Sequence, residues 1–224
     1  MTCAVSSDDD YLEHLGHAFE PDMVNLFETL LKRDDIAFDV GANIGCTSLL
    51  FANLANKVFS FEPQPTTFQF LRDNVARSRF RNIDLHNCAL GSQPAEAEIT
   101  CAPSNRSGAF VSNKIKAGAG HLSERVVIKR LDDVFTNPNV PRVDFIKIDV
   151  EGFEKEVIAG ARGVIREYQP IVVLELNHWC LNAFQRITVP DFFEYLMDTF
   201  PILLAVEGKS WLNIHDESDR YIVM

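Results

Sequence analysis

The sequence predicts an α/β domain: a mainly parallel sheet with helices on both faces. Strand-like and helix-like runs alternate along the chain, the rhythm of successive β-α-β units. Strand-like runs such as Ile171-Val172-Val173-Leu174 are apolar throughout rather than at every second residue, as in strands covered on both sides. With 224 residues, 46% of them hydrophobic, the chain is long and apolar enough to bury such a sheet in one domain.

The elements follow in order. Residues 1–33 are expected to form an N-terminal helical cover and residues 34–224 a single domain. Ile36 to Val40 is a short strand that runs into glycine, and Ile44 to Ala55 reads as a buried helix. Lys57 to Phe61 is the second strand. Thr66 to Ser78 places Phe68, Leu71 and Val75 three to four residues apart, a helical spacing. Ile83 to Ala89 is the third strand. Ala97 to Cys101 and Val126 to Lys129 read as strands of a β extension inserted before the fourth strand of the sheet. The residues between them are rich in Gly, Ser and Asn and predict a long loop or lid over about 102–124. Val143 to Ile148 is the fourth strand, Phe153 to Glu167 mostly one helix, and Ile171 to Leu176 the fifth strand. Val189 to Thr199 is a helix with Thr188 as its cap and Pro190 in its first turn. Ile202 to Val206 and Tyr221 to Met224 are candidate last strands.

Bulk properties exclude several classes. The 32 acidic and 21 basic side chains leave a net charge of −11, which repels phosphate backbones, so no nucleic acid partner is expected. Lys32-Arg33 and the group Arg72, Arg77, Arg79 and Arg81 read as charges at helix ends. Five cysteines form no C-x-x-C pair, which suggests free thiols in a reducing compartment. No signal peptide is visible and no apolar run reaches the ~20 residues of a membrane span. A cytoplasmic protein without membrane contact is the expectation.

The strongest motif is Asp39-Val40-Gly41-Ala42-Asn43-Ile44-Gly45, between the first strand and the first helix. Glycines let the backbone turn sharply and a ligand approach closely. Dinucleotide sites use G-x-G-x-x-G against a pyrophosphate. Here Asn43 stands in the middle, and Asp39 suits an amine and a sulfonium, the charges of S-adenosylmethionine, better than a diphosphate. A plain tight turn is the alternative. Glu62, about 20 residues on at the end of the second strand, is placed to accept hydrogen bonds from ribose hydroxyls; otherwise it is a solvated strand-end acid.

Charge reappears in Phe145-Ile146-Lys147-Ile148-Asp149-Val150-Glu151-Gly152-Phe153-Glu154. Lys147 interrupts an apolar strand and is expected to reach a carboxylate or a substrate oxygen. Asp149 projects toward a methyl acceptor as a candidate general base, raised by burial or lowered by Lys147. Helix capping is the alternative for Asp149 and Glu151, and the whole role of Glu154.

Together with Phe61-Glu62-Pro63 and Leu131-Asp132-Asp133, these blocks resemble the FkbM-type methyltransferase family, from about Asp35 to Leu176. The Lys-Ile-Asp-Val-Glu-Gly block is the specific part; the glycine loop alone points only to the Rossmann-like class I methyltransferases. The resemblance implies transfer of a methyl group from S-adenosylmethionine, usually to an oxygen of a sugar or natural-product scaffold. It implies a cofactor site of Asp39, Gly41, Asn43, Gly45 and Glu62, with Asn87 and Ala89 near the adenine. It places Asp149 and Glu151 at the transfer site.

A weaker block, Leu174 to Trp179 at the end of the fifth strand, is expected to bring Glu175 and His178 out on the ligand side of the sheet, with His178 as a candidate base, since histidine titrates near neutrality; a packing or surface role is the alternative for His178. Asp149, Glu175 and Asn177 are oxygen ligands of the kind magnesium takes, but no tight ligand motif is present and no metal is expected. The rival functions are an NAD-dependent oxidoreductase and a non-catalytic domain that binds cofactor or a partner protein.

Overall fold

Two hydrophobic cores, one on each face of a parallel sheet, organise the computed structural model. It describes residues 20–102, 105–111, 122–134, 142–208 and 210–223, with backbone alone at 101–102, 105–111 and 122. The sheet has the order β3-β2-β1-β8-β9, and every neighbouring pair is parallel. Its strands are β1 (Ile36–Val40), β2 (Lys57–Phe61), β3 (Ile83–His86), β8 (Phe145–Ile148) and β9 (Ile171–Leu174). Successive side chains on a strand point to opposite faces. Phe38, Val40, Phe59, Phe61, Ile146 and Ile148 therefore share one face. There they pack on Val157, Ile158, Val164, Ile165 and Phe192 from helices α5 (Glu154–Ala159), α6 (Arg162–Tyr168) and α8 (Val189–Thr199).

Ala37, Val58 and Phe145 point the other way, against α1 (Pro21–Leu30) and α2 (Cys46–Leu54). Phe27 of α1 lies edge-on to Phe51 at 4.9 Å and to Phe145 at 5.9 Å, a favourable aromatic geometry. Both faces of the sheet are thus covered, as the apolar strands require. The expected N-terminal cover includes α1; residues 1–19 lie outside the described residues.

The β extension falls before the fourth strand of the sheet. It is a second sheet of order β4-β7-β5-β6, made of β4 (Ala89–Leu90), β7 (Leu122–Lys129), β5 (Ala95–Ala102) and β6 (Asn105–Val111). The stretch 102–124 is therefore not one loop. β6 pairs antiparallel with β5, and β7 begins at Leu122; only 103–104 and 112–121 lie outside the described residues. Backbone pairing needs no large apolar side chains, so the composition concealed β6.

Two other expectations are corrected. Phe153 to Glu167 is not mostly one helix but two, α5 and α6. The break at Gly160 lets the chain pass Gly91, whose carbonyl oxygen would stand 1.9 Å from a Cβ there. Asp132, from α4 (Leu131–Val134), accepts hydrogen bonds from the amides of Gly163 and Val164 and so opens α6. The candidate strand Tyr221 to Met224 is instead, over Tyr221 to Val223, the end of α9 (Glu217–Val223), and Met224 lies outside the described residues. The Asp216 carboxylate accepts from the amides of Ser218 (2.8 Å) and Asp219 (3.2 Å), a side-chain cap that starts this helix. The hairpin β10 (Leu204–Glu207) and β11 (Ser210–Asn213) precedes it. Among the described residues no helix is long and apolar enough to cross a membrane.

Candidate active site

Sheet order fixes where a ligand can sit. β1 is followed outward by β2 and β3, while β8 and β9 continue on its other side. The chain connections therefore diverge between β1 and β8, and open α/β sheets bind ligands in the crevice outside the carboxyl ends at such a point. A cavity of about 630 Å³ lies there, within the range of small-molecule sites.

The glycine loop forms one wall, with Gly41 and Asn43 in the lining. Gly41 has φ +79°, and a Cβ on it would stand 1.8 Å from the carbonyl oxygen of Asp149; glycine is required for β1 and β8 to meet this closely. The amides of Gly41 and Ala42 both donate to Phe61 O at 3.0 Å. The next strand supplies Glu62, which is 6% exposed and lines the cavity. Its Oε2 accepts from Asn43 N (2.9 Å) and its Oε1 from Gln64 N (2.8 Å). Burial pushes its carboxyl up to about 7 against the pull of these two amides. A carboxylate has about four lone-pair sites, so capacity to accept further hydrogen bonds remains.

Asp39 is not on the wall. It is fully buried beneath the loop, where the parallel register sets it beside Ser60 on β2 and Lys147 on β8. Ser60 Oγ donates to Ser48 Oγ (2.8 Å), and Ser48 Oγ to Asp39 Oδ2 (2.6 Å). Lys147 Nζ lies 3.4 Å from Asp39 Oδ1, 3.1 Å from Asp149 Oδ2, and donates to Gly41 O at 2.9 Å. Lys147 thus reaches carboxylates, one of the two partners expected of it, and ties the glycine loop to the acidic end of β8. Burial opposes its charge, but Asp149 and Asp39 more than offset this and shift its titration upward.

Across the cavity stand Asp149, Glu151, Glu175 and Asn177, all in the lining. Burial would raise Asp149, yet the Lys147 ammonium and a hydrogen bond from Glu175 hold it below the usual carboxylate range. Glu151 (φ 52°) and Gly152 (φ 94°) are consecutive left-handed residues. At Gly152 a Cβ would stand 2.9 Å from the backbone of Cys180. Glu151 Oε2 accepts from Asn177 Nδ2 and Cys180 Sγ, each at 3.0 Å.

Other expected site residues lie elsewhere. Ala89 is in the lining. Asn87 is exposed and outside it; its amide donates to the Glu62 and Pro63 carbonyls and steadies the turn after β2. Gly45 is the cap of α2, not wall. His178 is exposed at the start of the short helix α7 (His178–Cys180) and outside the lining, so it does not join Asp149 in the cavity. Glu175, expected on the ligand side of the sheet, and Asn177, suggested only as a metal ligand, do join it. Among the described residues no three His, Cys, Asp or Glu side chains form a group that could hold a metal ion. Gln64 carried no sequence signal for a supporting role, and Glu154 was expected only as a charge at a helix start. Gln64 N holds Glu62, and Glu154 Oε1 accepts from Gly152 N at 3.1 Å.

Comparison with known proteins bears on the family and the fold. Hexuronic acid methyltransferase AglP of Haloferax volcanii is 30% identical over 159 residues, 69% of this chain and 61% of that protein. The 31-O-demethyl-FK506 methyltransferase FkbM of Streptomyces tacrolimicus is 28% identical over 58% of this chain and 60% of its own length. The chain thus spans about three fifths of these relatives. The crystal structure of an FkbM methyltransferase from Methylobacillus flagellatus KT superposes with a TM-score of 0.52 at 17% identity, over 85% of this chain and 49% of that one, which speaks to the fold. A family model described as the methyltransferase FkbM domain matches residues 39–203. That match runs from the first residue of the glycine motif to beyond α8 and takes in both walls of the cavity, so this chain belongs to the FkbM methyltransferase family.

Proposed function

We propose that the chain transfers a methyl group from S-adenosylmethionine to a hydroxyl oxygen of a small, sugar-like or natural-product acceptor. One observation carries this reading: the cavity at the β1–β8 crevice joins the glycine loop and Glu62 on one side to a group of carboxylates on the other. The donor set fits such a cofactor. Among the described lining residues the ionisable acids and bases are Glu20, Glu62, Asp149, Glu151, Glu175 and Lys147. The one cation of that set already faces Asp39, Asp149 and Gly41. An acidic wall favours a cationic ligand and disfavours a diphosphate, which weighs against NAD. Family membership weighs the same way. The names of the two relatives, which specify a hexuronic acid and an O-demethyl natural product, support an oxygen acceptor.

When bound, the cofactor supplies an electrophilic methyl group, so the protein has to align the acceptor and remove a proton. Glu62 is placed to hold the ribose hydroxyls with the lone pairs that Asn43 and Gln64 leave free. Gly41 and Asn43 shape the adjoining wall. Asp149, Glu151 and Glu175 face the acceptor side. Calorimetric titration with S-adenosylhomocysteine tests the site. Saturable binding is expected, weakened at least about tenfold in Glu62→Ala, the loss of a charge-assisted hydrogen bond or two. Unchanged affinity in that variant removes Glu62 from the site. Labelled S-adenosylmethionine offered to a panel of sugars and polyols then reads the acceptor class.

A further inference from the structure

Two carboxylates in the cavity emerge from the ends of neighbouring strands. β8 and β9 pair with Ile148 beside Leu174, and Glu175 N donates to Ile148 O at 3.1 Å. The next residues, Asp149 and Glu175, therefore emerge side by side, both in the lining of the cavity. Two carboxylates so placed oppose each other's ionisation, and one proton held by the pair relieves the repulsion. The neighbouring charges decide who keeps it. Lys147 of β8 stabilises the ionised form of Asp149 at 3.1 Å. Asp39, behind Lys147, Glu154 at the start of α5, and Glu151, held by Asn177 and by Cys180 of α7, are the other titratable groups around the pair. The proton accordingly rests on Glu175.

We propose that Asp149 and Glu175 act as one proton-holding pair, emptied when a positively charged cofactor enters the cavity and refilled by the acceptor hydroxyl during transfer. The proposal rests on the methyltransferase reading above. Partial desolvation at the cavity edge, with the charges of Asp149 and Glu151, pushes the Glu175 carboxyl up to about 8 although the residue keeps access to solvent, so near neutrality the pair carries a proton before ligand arrives. A cation brought into the same cavity favours the doubly ionised pair and drives that proton out. In transfer, the acceptor oxygen forms a bond to the methyl carbon and the carbon–sulfur bond breaks with its electron pair left on sulfur. The hydroxyl proton passes to Glu175. Positive charge disappears from the cavity as the proton arrives, so the pair returns to the state in which it began.

The consequence is readable without an acceptor. S-adenosylmethionine carries the sulfonium charge and S-adenosylhomocysteine does not, while their other groups are shared. Calorimetric titrations of both ligands near neutral pH, in two buffers of different ionisation heat and with EDTA present to exclude divalent cations, count the protons released. The sulfonium ligand is expected to release roughly one proton more than the thioether. The difference should vanish in Glu175→Gln and in Asp149→Asn, both of which still bind the thioether ligand. Equal proton counts in the wild type overturn the proposal, and so does a difference that survives in Glu175→Gln. Absence of heat with either ligand instead overturns the cofactor reading on which the proposal stands.

Discussion

At the scale of single residues, the ammonium of Lys147 holds the site together. It is 5% exposed and faces two carboxylates and the Gly41 carbonyl. Removing one partner of a buried pair leaves an uncompensated charge, at about 3–5 kcal/mol. Lys147→Met is expected to lose stability of that order in urea unfolding. Because Asp39 is fully buried and Asp149 is not, Asp39→Asn in the Lys147→Met background should recover part of the loss. A double variant no more stable than the single one would show that Asp39 is not the stranded charge. The role of Asp39 was hidden from the sequence for a related reason. Its motif is local, but its partner is set by strand register with a residue far along the chain. Glu62, whose partners Asn43 and Gln64 belong to the motif and the turn beside it, was legible.

At the scale of elements, α1 does more than cover the sheet. Its Met23 and Phe27 also contribute to the lining of the cavity, and Phe27 is 1% exposed between Phe51 and Phe145. Truncating a buried phenylalanine costs about 3–5 kcal/mol, so Phe27→Ala should lower the urea midpoint by a corresponding amount; a near-neutral effect would mean that α1 does not pack on this face. Thr188 shows when an element is legible. It caps α8 through Asp191 N, and with Pro190 inside the first turn it announced that helix at its true start. Asp216 caps α9 in a comparable way, but Tyr221-Ile222-Val223 is rich in β-formers and reads locally as strand. The start of α6 was not legible because its cap is Asp132, a side chain from another element. The β extension joins the Glu62 side of the cavity through side chains too: Glu124 of β7 accepts from Gln64 Nε2 (2.7 Å) and Thr66 N (3.0 Å), pairings no local pattern encodes.

At the scale of the whole molecule, the sheet's crossover point gathers acids that are raised in the fold, and this sets the direction in which stability depends on pH. Burial moves Glu62 and Glu154 from 4.5 to about 7. The folded chain therefore holds more protons than the unfolded chain between those values. Stability from these groups is complete below about 4.5 and is lost as pH rises through about 7. Asp149 works in the opposite sense, but only below its ordinary value of 3.8, because its shift is downward. The net charge of −11 adds self-repulsion that grows with pH in the same direction. The urea midpoint of the ligand-free protein should accordingly fall between about pH 5 and about pH 8. Glu154 separates the two causes. It is 1% exposed, its Oε1 accepts from Gly152 N, and its Oε2 finds no partner among the described residues. Glutamine keeps the acceptor and removes the titration, so Glu154→Gln should flatten the slope by on the order of 3 kcal/mol across that window. Glu194→Gln, which removes an exposed carboxylate from α8, should leave the slope close to that of the wild type. Equal slopes in all three proteins would assign the pH dependence to overall charge rather than to the buried acids beside the cavity.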